Sequence, residues 1–124
     1  MAPPASDRGS SGPVLVVEDD PGVREFLVAE LEYHGHRVVA SASAEEALAR
    51  LGDEPARLAI LDIGLPGQDG FAVADRLAPG VPVIIVTGDP VRAYAEAGAR
   101  NRSYRVLPKP VAPELLEHAV AEAL

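Results

Sequence analysis

The chain alternates short apolar segments with longer segments in which apolar residues recur every three or four positions. The short segments read VLVV, RVVA, LAIL, PVIIV and YRVL, at residues 14–17, 37–40, 58–61, 82–86 and 104–107. The first, third and fourth are continuously apolar, which is typical of parallel strands covered by helices on both faces. We therefore predict five strands in an α/β fold.

Helix start and stop signals separate these strands. Residues that favour helix N-termini stand at Asp20-Pro21, Ser43 with Glu46, Asp69-Gly70, Asp89-Pro90 and Pro113. Glycines that can end a helix follow at Gly35, Gly52 and Gly98. The fifth helix is predicted to have an apolar stripe of Leu115, Leu116, Ala119 and Val120. The resulting order of elements is (βα)₅.

Composition limits the chain to one domain. It has 124 residues and is 48% hydrophobic, enough to bury a core without disulfides. Residues 1–13 are rich in Pro, Ser, Gly and Ala without apolar periodicity, so we predict a disordered tail or linker there. The domain itself is predicted to cover residues 14–124.

Charge and hydropathy exclude several classes of function. The formal net charge of −8 argues against electrostatic binding to nucleic acid, which requires a basic face. The chain has no cysteine, no long apolar run and no basic and apolar leader, so we expect a cytoplasmic protein without membrane contact. It stops after the fifth helix without a second domain, so direct contact with promoter DNA is not expected.

Charged and hydroxyl residues follow four of the predicted strands. Glu18, Asp19 and Asp20 follow the first strand, and Asp62, Thr87 and Lys109 follow the third, fourth and fifth. Ligands of open parallel sheets bind beyond the carboxyl ends of the strands, so these residues are expected to meet there. Converging carboxylates need a counter-charge, and an all-oxygen ligand set favours Mg²⁺. Asp20 is better explained as the cap of the first helix.

The same edge offers the remaining parts of a phosphoryl-transfer site. Asp62 can act as a nucleophile, Lys109 as a cation opposite the metal, and Thr87 as a hydroxyl donor to phosphoryl oxygens. Taken singly, Thr87 is more often a turn residue and Lys109 a solvated charge. The hypothesis rests on the agreement of four strand ends.

Four segments, VLVVEDD, LAILDIGLPGQDG, PVIIVTG and VLPKP, occur in this order with characteristic spacing. Together they resemble the receiver domain of two-component response regulators, and the resemblance spans Val14 to Leu124. It implies a doubly wound, five-stranded parallel sheet of order 2-1-3-4-5, as in flavodoxin-like and CheY-like folds.

The resemblance also implies residue roles. Asp62 resembles the phosphoacceptor, Thr87 the hydroxyl that contacts the phosphoryl group, and Lys109 its cationic partner, joined to the next proline by a cis peptide. Mg²⁺ would be held by Glu18 (largely through water), Asp19, Asp62 and the backbone carbonyl of Gly64.

A histidine kinase or phosphotransfer protein would supply the phosphoryl group. The phosphorylated state would then alter binding to an unknown downstream protein. Such a domain is a signalling switch that catalyses only its own phosphorylation and dephosphorylation. The resemblance leaves open a homodimer, and either a single-domain regulator or a receiver module of a hybrid kinase.

Three positions depart from the usual family pattern. Gly64 stands where a bulky residue is common, Asp89 occupies a position that tunes dephosphorylation, and Val106 replaces the aromatic residue that usually couples to the threonine. Tyr104 could substitute for that aromatic residue, but an ordinary packing role is the better explanation.

Two other classes of function compete with the receiver hypothesis. A phosphohydrolase of the haloacid dehalogenase type also forms an aspartyl phosphate, but it needs an aspartate where this chain has Gly64. A pseudo-receiver would lack Asp62, Lys109 or the acidic pair, and all of these are present.

Overall fold

The computed structural model describes residues 12–64, 70–100 and 104–124. Its strands are β1 (Val14–Val17), β2 (Val38–Ser41), β3 (Leu58–Leu61), β4 (Val83–Thr87) and β5 (Tyr104–Pro108). Its helices are α1 (Pro21–Tyr33), α2 (Ala44–Leu51), α3 (Gly70–Asp75), α4 (Pro90–Gly98) and α5 (Pro113–Ala123). The strands form one parallel sheet of order β2-β1-β3-β4-β5, which confirms the α/β prediction and the order implied by the resemblance.

The sheet separates two apolar cores. Successive strand residues point to opposite faces, so Leu15 and Leu61 lie in the core that contains Phe71 of α3, whereas Val16 and Ile60 lie in the other core. That second core also contains residues of α1 and α5. β1, β3 and β4 are buried on both faces, which explains why their sequences are continuously apolar.

Side-chain caps fix the starts of α1 and α2 close to the predicted positions. Asp20 accepts hydrogen bonds from the amides of Gly22 (2.8 Å) and Val23 (3.2 Å) at the start of α1. Ser43 accepts from the amide of Glu46 at the start of α2. These contacts confirm the capping role predicted for Asp20, which places α1 directly behind the acidic end of β1.

One predicted core position is wrong. Leu116, Ala119 and Val120 of α5 are buried, but Leu115 is 51% exposed. At 3.6 residues per turn, Leu115 lies roughly 90° from the centre of the stripe formed by the other three residues. Only the face of α5 that meets the sheet is covered, and Leu115 lies outside it.

Most of the predicted tail falls outside the described residues, as do residues 65–69 of the LAILDIGLPGQDG segment. Within the described part, the carbonyl of Pro13 accepts a hydrogen bond from the amide of Arg57 at 3.0 Å. No helix of residues 12–64, 70–100 or 104–124 combines the length and the apolar character needed to cross a membrane.

Candidate functional site

Three carboxylates meet where β1 and β3 end. Val17 pairs with Leu61, so the residues that follow each strand lie side by side. Carboxylate oxygens of Glu18, Asp19 and Asp62 all lie within 4.8 Å of one another. Glu18 and Asp62 are buried, whereas Asp19 is exposed. The structure therefore brings together the acidic residues predicted from the strand ends.

Lys109 joins this cluster from the end of β5. Its Nζ donates a hydrogen bond to Oδ2 of Asp62 at 3.1 Å and forms an ion pair with Oε1 of Glu18 at 2.5 Å. Its backbone amide donates to the carbonyl of Thr87 at 2.8 Å, and its bond to Pro110 is cis, as the resemblance implies. The only lysine of the chain is thus positioned between two buried carboxylates.

The carboxyl groups of Glu18 and Asp62 differ in proton affinity. Burial raises the pKa of Glu18 to about 8, and the neighbouring Asp62 adds to this rise while Lys109 opposes it. Burial also disfavours the charged form of Asp62, but contacts with Glu18, the Gly64 amide and Lys109 outweigh it and lower the pKa of Asp62. Asp62 is therefore the ionised member of the pair at neutral pH.

The buried oxygens of Glu18 provide a test of whether the cluster suits a metal. Among the described residues, no donor meets either oxygen in hydrogen-bond geometry, although Lys109 approaches one of them. Buried carboxylate oxygens without donors are uncommon in proteins. Together with the oxygens of Asp19 and Asp62 they form the ligand set that hard divalent cations prefer, so the cluster fits such an ion.

Thr87 ends β4 and is buried. Its Oγ1 accepts a hydrogen bond from the amide of Asp89 at 2.9 Å, so the hydroxyl proton remains available for donation. The carboxylate of Asp89 accepts from the amide of Arg92 and caps α4. The Asp89 carboxylate is thus hydrogen-bonded to a backbone amide in the first turn of α4.

Gly64 places no side chain beside the Asp62 carboxylate. Its amide donates to Oδ1 of Asp62 at 2.9 Å, and a Cβ added at this residue would lie 3.6 Å from the same oxygen. A larger side chain would therefore stand directly beside the carboxylate. This glycine contributes a hydrogen bond without covering Asp62.

The structure confirms a packing role for Tyr104. It pairs with Val83, four residues before Thr87 on β4, and its ring meets Phe71 edge to face at a centroid distance of 5.2 Å. Four strand residues span about 13 Å, so Tyr104 cannot contact the Thr87 hydroxyl. Val106 is buried in the same core.

Two residues that support the site were missed in the sequence. A Cβ at Gly70 would lie 2.4 Å from the carbonyl oxygen of Asp62, so only glycine lets α3 approach this closely. The Asp69-Gly70 pair predicted a helix start but not this contact. Arg24 donates to the carbonyl of Glu18 at 2.9 Å, and no local pattern indicates that role.

Comparison with known proteins agrees with this architecture. The family model for the response regulator receiver domain matches residues 14–121. The chain belongs to this family. A receiver domain is the signalling switch of a two-component response regulator, so the open parallel sheet and the cluster at Asp62 lie in a protein of that class.

Relatives of this receiver domain include short and long proteins. Protein PilH of Pseudomonas aeruginosa is 32% identical over 108 residues, which cover 83% of this chain and 89% of that protein. The transcriptional regulatory protein GlrR of Escherichia coli is 35% identical over 114 residues, or 90% of this chain and 26% of that protein. The receiver domain thus spans about a quarter of the length of this regulator.

Solved structures show the same similarity. The crystal structure of the receiver domain of NtrX from Brucella abortus superimposes with a TM-score of 0.79 at 30% sequence identity. The match covers 90% of this chain and 97% of that structure. The likeness therefore extends over most of this chain.

Proposed function

We propose that this receiver domain accepts a phosphoryl group on Asp62 in a Mg²⁺-dependent reaction. The observation that carries the proposal is the Asp62 carboxylate held between the Gly64 amide and the Lys109 ammonium, two contacts that also lower its pKa. An anionic carboxylate with a hydrogen bond to each of its oxygens is suited to act as a nucleophile.

The phosphoryl donor would be a phosphohistidine of a histidine kinase or a phosphotransfer protein. A carboxylate oxygen of Asp62 forms a bond to phosphorus while the bond from phosphorus to the imidazole nitrogen breaks, and that nitrogen keeps the electron pair. Hydrolysis later returns the carboxylate and inorganic phosphate. We propose no other reaction, so the protein would act as a switch rather than as an enzyme on a separate substrate.

Glu18, Asp19, Asp62 and the backbone carbonyl of Gly64 are the residues that would hold Mg²⁺. When bound, the ion would offset the negative charge of the phosphoryl oxygens. The buried oxygens of Glu18 support this assignment, because no donor among the described residues meets either of them in hydrogen-bond geometry. Burial raises the pKa of Glu18, and a bound cation would oppose that rise by favouring the ionised carboxylate.

Lys109 and Thr87 would complete the site. Lys109 would keep an ion pair with the phosphorylated Asp62, and the Thr87 hydroxyl would donate to a phosphoryl oxygen. Thr87 would be drawn toward that oxygen, and its hydrogen bond with the Asp89 amide links it to the start of α4. We propose that this link helps the phosphorylated state alter binding of a downstream protein, without the usual aromatic partner.

The partners we propose are therefore a histidine kinase or phosphotransfer protein and a downstream protein target in the cytoplasm. The net charge of −8 supports protein partners rather than direct binding to nucleic acid.

Intact mass spectrometry with acetyl phosphate tests the proposal. We expect one added phosphoryl group with Mg²⁺, none in EDTA, and none in Asp62→Asn with Mg²⁺. Asp53→Asn, which removes an exposed carboxylate outside the cluster, is the matched control and should be modified as the wild type is. An adduct that persists in Asp62→Asn would refute the assignment of Asp62.

A further inference from the structure

A cavity separate from the acidic cluster lies between the C-terminal ends of α1 and α5. Its volume is about 300 Å³, which is at the lower end of the range for small-molecule sites. Leu31, Leu116, Val120 and Leu124 supply its apolar surface. Charged and polar groups reach it from Glu30, His34, His36, Arg57 and Glu117. The cavity thus combines an apolar surface with a few polar groups, as ligand sites do.

Arg57 is the unusual member of this lining. Its Nε is buried, and no acceptor among the described residues forms a hydrogen bond with it. Among the residues that the structure describes, no carboxylate lies within ion-pair distance of its guanidinium. By contrast, the exposed side chains of Arg37, Arg50 and Arg105 each pair with a carboxylate. A buried donor without an acceptor is costly, so the site favours a ligand that brings an acceptor.

Two carboxylates also line the cavity, those of Glu30 and Glu117, but neither lies within ion-pair distance of Arg57. Glu117 has a side chain that is 60% exposed and lies 3.8 Å from His34, so its carboxylate is hydrated and faces a partner of its own. Burial, Arg57 and His34 lower the pKa of His36, which is therefore neutral near pH 7. Arg57 is the one arginine or lysine among the described residues that line the cavity, and its charge is not paired there.

We propose that this cavity binds a small organic carboxylate with an apolar body. The guanidinium of Arg57 would pair with the carboxylate, a geometry that arginine forms readily, and the leucine and valine side chains would cover the apolar part. A short-chain fatty acid or a branched acid of similar size has this chemistry.

The site is separate from the cluster at Asp62. α1 begins at Pro21, directly behind the acidic end of β1, and its first cavity-lining residue is Glu30, about 14 Å further along the helix. A ligand here would leave Asp62 accessible. The inference therefore goes beyond the proposed function, and either could fail without the other.

Titration with hexanoate, followed by ¹H–¹⁵N NMR of the whole chain, tests the proposal. We expect saturable shifts at the amides of Leu31, Arg57 and Leu116, with a Kd of about 1 mM, as for a ligand of this size. Hexan-1-ol lacks the charge and acetate lacks the apolar chain, so each should bind at least about tenfold more weakly. Hexylammonium, with the opposite charge, should not bind.

Arg57→Gln should weaken hexanoate binding about tenfold or more, whereas Arg76→Gln, an exposed arginine outside the cavity, should not. The NMR spectrum of each variant reports directly whether it is folded. Equal affinity of Arg57→Gln and wild type, or no saturable shift up to about 10 mM hexanoate, would overturn the proposal. Shifts that follow protein concentration instead of hexanoate would assign the cavity to a second copy of the chain and also overturn it.

Discussion

The ammonium nitrogen of Lys109 lies 3.1 Å from Oδ2 of Asp62, although 46 residues separate the two in sequence. The contact exists because β3 and β5 end at the same edge of the sheet, on either side of β4. It places a counter-charge beside the proposed nucleophile, both when the carboxylate would attack phosphorus and when hydrolysis would release it.

Removing that counter-charge should slow phosphorylation. Lys109→Met keeps much of the apolar stem and deletes the charge, so we expect the rate of phosphoryl incorporation from acetyl phosphate to fall about 100-fold. Lys109→Arg keeps a cation in a different geometry and should recover part of the rate. The rates are measured by intact mass spectrometry over time. Equal rates for wild type and Lys109→Met would contradict the role of Lys109.

Stability should depend on pH through Glu18. Its carboxyl ionises near pH 4.5 when unfolded but only near pH 8 when folded, so the folded state binds the extra proton between these values. Raising the pH from 5 to 8.5 should therefore lower the free energy of unfolding, by about 2–4 kcal/mol from this group alone. The lowered pKa of Asp62 acts in the opposite direction, but below this range, where stability is lost as the pH falls.

Urea unfolding of wild type and Glu18→Gln in EDTA isolates this effect, because histidine titration is common to both proteins. The difference in free energy of unfolding between them should change steadily over that pH range. Glu25→Gln, on an exposed position of α1, is the control and should follow the wild type. A constant difference between Glu18→Gln and wild type would show that Glu18 titrates normally.

Adjacent aspartates should respond differently to substitution. Asp20 caps α1, so Asp20→Ala should cost about 1 kcal/mol of stability and leave the Mg²⁺-induced rise in Tm intact. Asp19 is exposed and has a carboxylate in the acidic cluster, so Asp19→Ala should abolish that rise with little loss of stability in EDTA. Thermal unfolding with and without Mg²⁺ measures both quantities. The reverse pattern would exchange the two assignments.

Two glycine-to-alanine substitutions in helices should have opposite outcomes. Gly70→Ala would place a Cβ 2.4 Å from the Asp62 carbonyl oxygen and should lower the free energy of unfolding by about 2–3 kcal/mol. Gly98→Ala, at the end of α4, meets open space and should be neutral or stabilise by about 0.5 kcal/mol. Urea unfolding compares them. A neutral Gly70→Ala would mean that α3 can move away from Asp62 without cost.

Local sequence signals determined the elements of this protein. Continuous apolar runs identified the strands, because strands covered on both faces must exclude polar side chains. Asp20, Ser43 and Asp89 identified helix starts, because a capping side chain binds backbone amides only two or three residues further along the chain. The strand ends also indicated which side chains would gather, since parallel strands place their carboxyl ends at one edge. The order of the strands came from the resemblance to receiver domains.

The tertiary structure decided what depends on distant parts of the chain. The burial of Glu18 against Lys109, the close packing of Gly70 on Asp62 and the exposure of Leu115 follow from how helices cross the sheet, which no local pattern specifies. The cavity at Arg57 arises in the same way, because α1, α5 and the residue before β3 meet only in the folded chain. Sequence periodicity records which side of an element is apolar, whereas contacts between elements fix the distances on which charge and chemistry depend.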